Sequence, residues 1–298
     1  MAIETRNPAT EEVLERFDPL TDEAIDKALS TAAQAFQHFR HTDIAKRAGW
    51  LNNTADLLEA EVNEWAAVLT TEMGKTLPAA VAEVKKSAQG CRYYATHGEQ
   101  LLANEPLDSN GTNNFVRHLP LGPVLAVMPW NFPFWQVFRF AAPALIAGNV
   151  GLLKHASNVP RSALAIQNIL ERAGFPEGTF QTLLIGSDQV QQVLTDSRVR
   201  AATLTGSDAA GRAVASVAGH ALKPTVLELG GADPFIVMPS ADLSHAVEAA
   251  VVGRTINNGQ SCIAAKRFIV HSDVYDEFTD RFVSAFENLK VGDPTSDA

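Results

Sequence analysis

Cysteine is almost missing from this chain, with two residues in 298. That excludes a disulfide framework. MAIETRNPATEEVLERFD also lacks the apolar segment of a signal peptide, so the expectation is a cytoplasmic protein. Positive charge is scarce too. Twenty-four Lys and Arg stand against 34 Asp and Glu, a net charge of -10 with no basic block, which argues against nucleic acid or an anionic membrane as partner. Long apolar runs are missing as well. The most hydrophobic stretch, FAAPALIAGNVGLLK (140–154), is broken by Pro143, Gly148 and Asn149 and reads as helix, turn and strand rather than a membrane span. There is no internal repeat, no low-complexity segment and no expected metal site. What is there is a globular composition, 46% hydrophobic and 19% charged, in a chain long enough for about two domains.

The first third is patterned for helix. Thr21 before Asp22 and Glu23 is a candidate N-cap, and Ala24, Ile25, Ala28, Leu29, Ala32 and Ala33 follow at helical spacing. That spacing recurs over 44–58, 62–69 and 76–102, with Gly74 as a separator. A polar, turn-rich segment (103–114) leads into FVRHLPLGPVLAVM (115–128). Its alternation, with Pro120 and Pro123, predicts an edge hairpin rather than a central strand. From about residue 124 short apolar runs (VLAVM, NVGLLK, FQTLLI, VRAATLTG, TVLELGG) alternate with helical stretches, which predicts a parallel sheet covered on both faces. After Gly231, a helix (242–258), strand (267–271) and helix (273–289) read as the start of a second α/β unit. The chain then stops in a polar loop. Some 68 residues make a meagre core, so either this unit is small or the chain is incomplete.

Four stretches carry candidate chemistry. In NNGQSCIAAKR (257–267), Cys262 sits in a polar loop, where oriented backbone N–H groups can favour a thiolate; a free cysteine is otherwise a buried, inert hydrophobe. Cys91, inside a helical stretch, is read as structural. Glu228 interrupts TVLELGG at a strand's C-terminal end, where α/β proteins place their ligand crevice. It is either a salt-bridged edge residue or, buried beside a reactive cysteine, a general base. In VMPWNFPFWQVFRF (127–140), two prolines fix a turn that presents Asn131, a preorganised amide donor of the kind an oxyanion needs. Arg139, among apolar residues, requires an anion, either a structural carboxylate or a substrate's. TLTGSDAAGRAVA (203–215) runs strand, glycine, helix, a phosphate-binding arrangement, and Lys154 ends the NVGLLK strand as either a second phosphate or ribose contact or a surface lysine.

Taken together, PWNFP (129–133), LLKHAS (152–157), LTGSDAAG (204–211), LELGG (227–231) and GQSC (259–262) resemble the aldehyde dehydrogenase superfamily, in the family's order. The resemblance implies a Rossmann-like doubly wound α/β cofactor domain (1–103 and 123–230). It also implies an oligomerisation hairpin (104–122), the first part of an α/β catalytic domain (231–298), and a homo-oligomer. It implies that Cys262 attacks an aldehyde to form a thiohemiacetal, that Asn131 and the Cys262 N–H form the oxyanion hole, and that hydride loss leaves a thioester. Glu228 then activates the hydrolytic water. Trp130, Asn131, Lys154, His155, Ala156, Ser157, Gly206, Ser207 and Leu229 match cofactor contacts.

Two departures narrow the expectation. Ser157 stands where many NAD-using members carry a glutamate that binds the adenosine ribose. A carboxylate there would repel a 2′-phosphate, so NADP is expected over NAD. Arg139 matches the arginine with which succinate-semialdehyde-oxidising members hold the substrate carboxylate. The second arginine of some members is replaced by Ile256, with Arg254 two residues earlier. The alternatives are another small aldehyde or a non-catalytic, cofactor-binding remnant. The family's remaining catalytic segment lies beyond these residues.

Overall fold

The computed structural model describes residues 2–108 and 110–295. Ser109, inside the expected hairpin, and residues 296–298, at the end of the expected second unit, lie outside the described residues.

The chain begins with a strand pair that helical periodicity did not reveal: β1 (Ile3–Arg6) runs antiparallel to β2 (Val13–Phe17). Four helices follow, α1 (Asp22–Phe39), α2 (Ile44–Ala60), α3 (Val62–Met73) and α4 (Leu77–Leu101). The expected cap forms, with Thr21 Oγ1 accepting from the Ala24 N–H at 3.3 Å, a bond worth about 1 kcal/mol. Helix α3 ends on Gly74, whose φ of 79° is left-handed, a conformation glycine takes without steric cost. The reversal sends the next residue, Lys75, into the interior.

After the short antiparallel pair β3 (Glu105–Pro106) and β4 (Phe115–Val116) comes the alternating half of the chain. It runs β5 (Pro123–Met128), α5 (Trp135–Ile146), β6 (Val150–His155), α6 (Pro160–Arg172), β7 (Phe180–Thr182), α7 (Val190–Thr195), β8 (Ala201–Thr205), α8 (Asp208–His220) and β9 (Thr225–Glu228). The strands pair in the order β7-β6-β5-β8-β9, all parallel. Consecutive residues of β5 and β6 are buried, so both faces of the sheet are covered and no polar alternation survives.

The edge expected at Pro123 is wrong. Pro123 opens β5, the central strand, because at a strand's first position its missing N–H costs no ladder bond. Its carbonyl still accepts from the Arg200 N–H at 2.8 Å. The chain winds outward from β5 to β6 and β7, then returns to place β8 on the other side of β5. This reversal leaves a crevice at the strands' C-terminal ends, between β5 and β8.

The last residues form a second, two-stranded parallel sheet. Strand β10 (Pro234–Val237) pairs with β11 (Arg267–Val270), and α9 (Leu243–Thr255) makes the crossover, followed by α10 (Tyr275–Glu287). Its core is separate and small: Val237, Val247, Ala250 and Phe278 are buried, with Phe235, Phe268 and Phe282 packed around them. Among the described residues no helix is long and apolar enough to cross a membrane.

Candidate active site

Two loops far apart in sequence are tied together at the crevice. One is the turn from β5 into α5, which carries Asn131. The other follows α9 and carries Cys262. In the second loop Asn257, Asn258 and Gly259 have φ of 55°, 57° and 73°, three left-handed residues in a row. Asparagine and glycine are the residues that tolerate this region, so the NNG run is what lets the chain turn so tightly. Both asparagine side chains are then used as ties. Asn257 Nδ2 donates to the Asn131 carbonyl at 2.8 Å, and Asn258 Nδ2 to the Gly74 carbonyl at 2.8 Å. Asn131 reciprocates, its Nδ2 donating to the Gln260 carbonyl at 2.8 Å. A primary amide has two N–H hydrogens, and among the described residues only one of them is used here.

Cys262 is half-buried and lies where two cavities meet. One, of about 570 Å³, is the β5–β8 crevice. The other, of about 280 Å³, is lined by Phe132, Trp135, Gln136, Arg139 and Ile256. Asn131 Oδ1, Gln136 Oε1, Asn257 Oδ1 and Ser261 Oγ, all on the walls of these two cavities, are buried without a hydrogen-bond partner. Buried polar groups left unpaired are rare and gather where a ligand completes them. Cys91 contrasts with Cys262: it is fully buried, and burial pushes its thiol up to about 12, as an inert core residue requires.

Glu228 is not buried, contrary to the expectation for a base beside the cysteine. Its side chain is 54% exposed, and its Oε2 lies 3.7 Å from Arg139 Nη2. Successive residues of an extended chain point to opposite sides, so Leu229 lines the large crevice while Glu228 faces away from it, toward a third cavity. Arg139 lines both that third cavity and the Cys262 cavity. The anion it requires is, in this structure, Glu228.

The large crevice suits a polyanion. Lys154 and Lys266 line it, and no carboxylate does. Lys154 has no hydrogen-bonding or ionic partner among the described residues, and burial pulls its ammonium down from the ordinary range, so a phosphate beside it would be favoured. Ser207 caps α8, its Oγ accepting from the Ala210 N–H at 3.3 Å, and Gly206 N–H donates to the Glu228 carbonyl at 2.9 Å. Trp130, Ala156, Gly206, Ser207 and Leu229 line this crevice. Ser157 does not. It is half-buried beside the N-terminal strand, its carbonyl accepting from the Glu4 N–H at 3.0 Å.

His155 requires correction. Its ring is buried beneath the Asn131 turn rather than in the crevice. Nε2 lies 2.9 Å from the Pro133 carbonyl, and Nδ1 lies 3.0 Å from the Ala156 N–H and 3.3 Å from the Met128 carbonyl. A side chain that ends a strand buried on both faces has no route to the ligand side. Burial pulls the imidazole down to about 4. A folded pKa below the unfolded value near 6.5 gives stability that is complete above pH 6.5 and lost as pH falls toward 4. The stability gap between the protein and His155→Gln should therefore shrink by about 3 kcal/mol between pH 7 and pH 4. Urea unfolding at several pH values measures this; a gap independent of pH would refute it.

Sequence reasoning missed Lys75, Glu83, Gln136 and Lys266. Lys266 Nζ folds over the Cys262 and Ser261 carbonyls at 2.7 and 3.2 Å, bracing the loop. Glu83 had a readable signal, a carboxylate on the stripe of α4 that buries Ala80, Val84, Ala88 and Cys91. Nothing local marks Lys75 as a residue whose charge is buried.

The Aldehyde dehydrogenase family matches the chain over residues 1–298. A succinate-semialdehyde dehydrogenase (NADP+) of Mycobacterium avium (strain 104) is 61% identical over 302 residues, 100% of this chain and 64% of that protein. Succinate-semialdehyde dehydrogenase (NADP+) 1 of Mycobacterium tuberculosis (strain ATCC 25618 / H37Rv) is 59% identical over 298 residues, 99% of this chain and 65% of that one. The crystal structure of succinic semialdehyde dehydrogenase from Streptococcus pyogenes in complex with NADP+ superimposes with a TM-score of 0.97 at 37% identity, covering 99% of this chain and 65% of its own. The chain therefore spans less than two thirds of the length of the relatives it matches. Because the family matches over residues 1–298 and the fold agrees over 99% of the chain, the chain belongs to the aldehyde dehydrogenase family.

Proposed function

We propose that the chain carries the cofactor crevice and the nucleophile of an NADP-dependent oxidation of succinate semialdehyde to succinate. The observation that carries this reading is the place of Cys262, at the junction of a cationic crevice and a smaller cavity lined by Arg139. In the crevice Lys154 and the α8 N-terminus would hold phosphates, and Trp130, Gly206, Ser207 and Leu229 its walls. When bound, NADP supplies a hydride acceptor. The chain's own residues do the rest. Cys262 Sγ bonds to the aldehyde carbon, and the free N–H of Asn131 donates to the oxygen as it gains charge. Once the carbon has lost its hydride, the acyl group stays on Sγ as a thioester. Glu228 takes a proton from the water that displaces it, releasing succinate and the thiol.

For that last step Glu228 must leave Arg139. A substrate carboxylate entering the Cys262 cavity competes for the same guanidinium and so favours the release. Arg139→Ala is expected to raise KM for succinate semialdehyde by about 100-fold, while butanal changes less than about threefold, since a charge-assisted bidentate contact is lost for one substrate only. Equal effects on both aldehydes would reject the carboxylate role.

NADP over NAD is supported by the crevice, which is lined by cations and by no acid. A kcat/KM for NADP at least about tenfold above that for NAD is expected, from one phosphate gaining charge-assisted bonds. A preference for NAD would overturn it. On this reading residues 1–103 and 123–230 are the cofactor domain and 231–298 begin the catalytic one. The β3–β4 pair is part of a subunit-bridging hairpin in a cytoplasmic homo-oligomer.

A further inference from the structure

A fully buried ion pair lies under the turn that carries Asn131. Lys75 Nζ and Glu83 Oε2 are in contact, and neither side chain is more than 1% exposed. Such a pair is weak evidence for stability, because two desolvated charges gain about what a well-packed apolar pair would. Its remaining bonds all go to one place. Lys75 Nζ donates to the Asn131 carbonyl at 3.1 Å and sits 4.5 Å from the centre of the Phe132 ring. Glu83 Oε1 accepts from the Phe134 and Trp135 N–H groups at 2.8 and 3.0 Å, satisfying donors that the start of α5 leaves free.

The pair therefore grips the Asn131 turn on both sides, at residue 131 and at residues 134–135. The segment that supplies Lys75 also reaches the Cys262 loop, since the Gly74 carbonyl accepts from Asn258 Nδ2. Asn257 Nδ2 shares the Asn131 carbonyl with Lys75. One carbonyl thus joins the ion pair, the amide-bearing turn and the cysteine-bearing loop.

We propose that Lys75 and Glu83 are positioning residues, which hold the Asn131 amide at a fixed place relative to Cys262 and act on the reaction through it. This rests on the reading of Asn131 as the oxyanion donor. Lys75 meets the crevice wall only through the Asn131 carbonyl, and Glu83 lies on the wall of the smaller cavity that Cys262 shares; neither side chain hydrogen-bonds to the thiol. Its effect should therefore appear in the chemical step and only while Asn131 is there to be positioned.

The test is a double-mutant cycle on the full-length enzyme, with single-turnover oxidation of succinate semialdehyde as the readout. Removing one oxyanion donor costs about 10²–10³-fold, so Asn131→Ala sets the scale, and Lys75→Met is expected to lose about 100-fold alone. In the Asn131→Ala background the same change should cost less than about threefold. Kd for NADP and the rate of Cys262 alkylation by iodoacetamide should stay within about threefold throughout. Lys75→Met/Glu83→Gln removes the stranded carboxylate, so it should recover Tm without recovering the rate. Independent, multiplicative losses in the cycle, or a rate that returns with Tm in the paired variant, would overturn the proposal. An Asn131→Ala enzyme with full activity would instead overturn the oxyanion reading beneath it.

Discussion

Cys262→Ser is expected to lower kcat by at least about 10⁴-fold while leaving the fold and the cofactor crevice in place. The size of the effect follows from what surrounds the sulfur. A cysteine needs little help, because a few per cent of an ordinary thiol is already thiolate near neutral pH and the thiolate is strongly nucleophilic. A serine hydroxyl needs a base to take its proton. Here no described side chain hydrogen-bonds to the Cys262 sulfur, and the one carboxylate assigned to base chemistry, Glu228, faces away and pairs with Arg139. A serine at 262 would be left un-ionised. The side chains differ by one atom, so Tm should move by less than about 2 °C, and Kd for NADP by less than about twofold, as for most changes that create no cavity or buried charge. Steady-state oxidation of succinate semialdehyde measures the loss. A variant keeping more than a hundredth of kcat would exclude Cys262 as the nucleophile.

The largest effect on stability is expected at Glu72, which has no part in the chemistry. Its carboxylate is buried at the end of α3 and accepts four hydrogen bonds. Oε1 takes Thr5 Oγ1 at 2.6 Å and the Arg161 N–H at 2.9 Å. Oε2 takes the Ser162 N–H at 2.8 Å and Ser162 Oγ at 2.7 Å. Burial pushes the carboxyl up from its ordinary range, and the four donors work against that. One side chain thus caps α6 and anchors β1. Glu72→Ala would strand two backbone N–H groups and two hydroxyls in the interior, at a cost of about 3 kcal/mol, or roughly 6 °C in Tm. Thr5→Val, which removes one donor and fills its space, should cost about 1 kcal/mol. Differential scanning calorimetry separates the two. Equal shifts would mean that the N-terminal strand, rather than the α6 cap, is what Glu72 holds.

Much of the fold was legible because its signals are periodic and local. The helices of the first third were marked by apolar spacing, by Thr21 with its acids and by the Gly74 stop. The sheet was marked by apolar runs in alternation with helices. The N-terminal strand pair escaped because IETR and VLERF are short, mixed in polarity and paired through one another rather than through a pattern of their own. Pro123 was misread for a different reason: a proline's meaning depends on whether it opens a strand or interrupts one, and strand order decides that.

The site divides along the same line. By itself the sequence determined which groups are present: a thiol in a polar NNGQS loop, an amide held between prolines, a glutamate at a strand end, a glycine before a helix. These are properties of residue type and neighbour. The tertiary structure alone decided what each one faces. It put Cys262 between two cavities, turned Glu228 toward Arg139, and sank His155 beneath the Asn131 turn, away from the cofactor it was expected to contact. It also gathered Lys75 and Glu83, 48 or more positions from Asn131, under its carbonyl. The reason is physical. A charge can be buried only where distant segments converge to supply its partners, and no local pattern records that convergence.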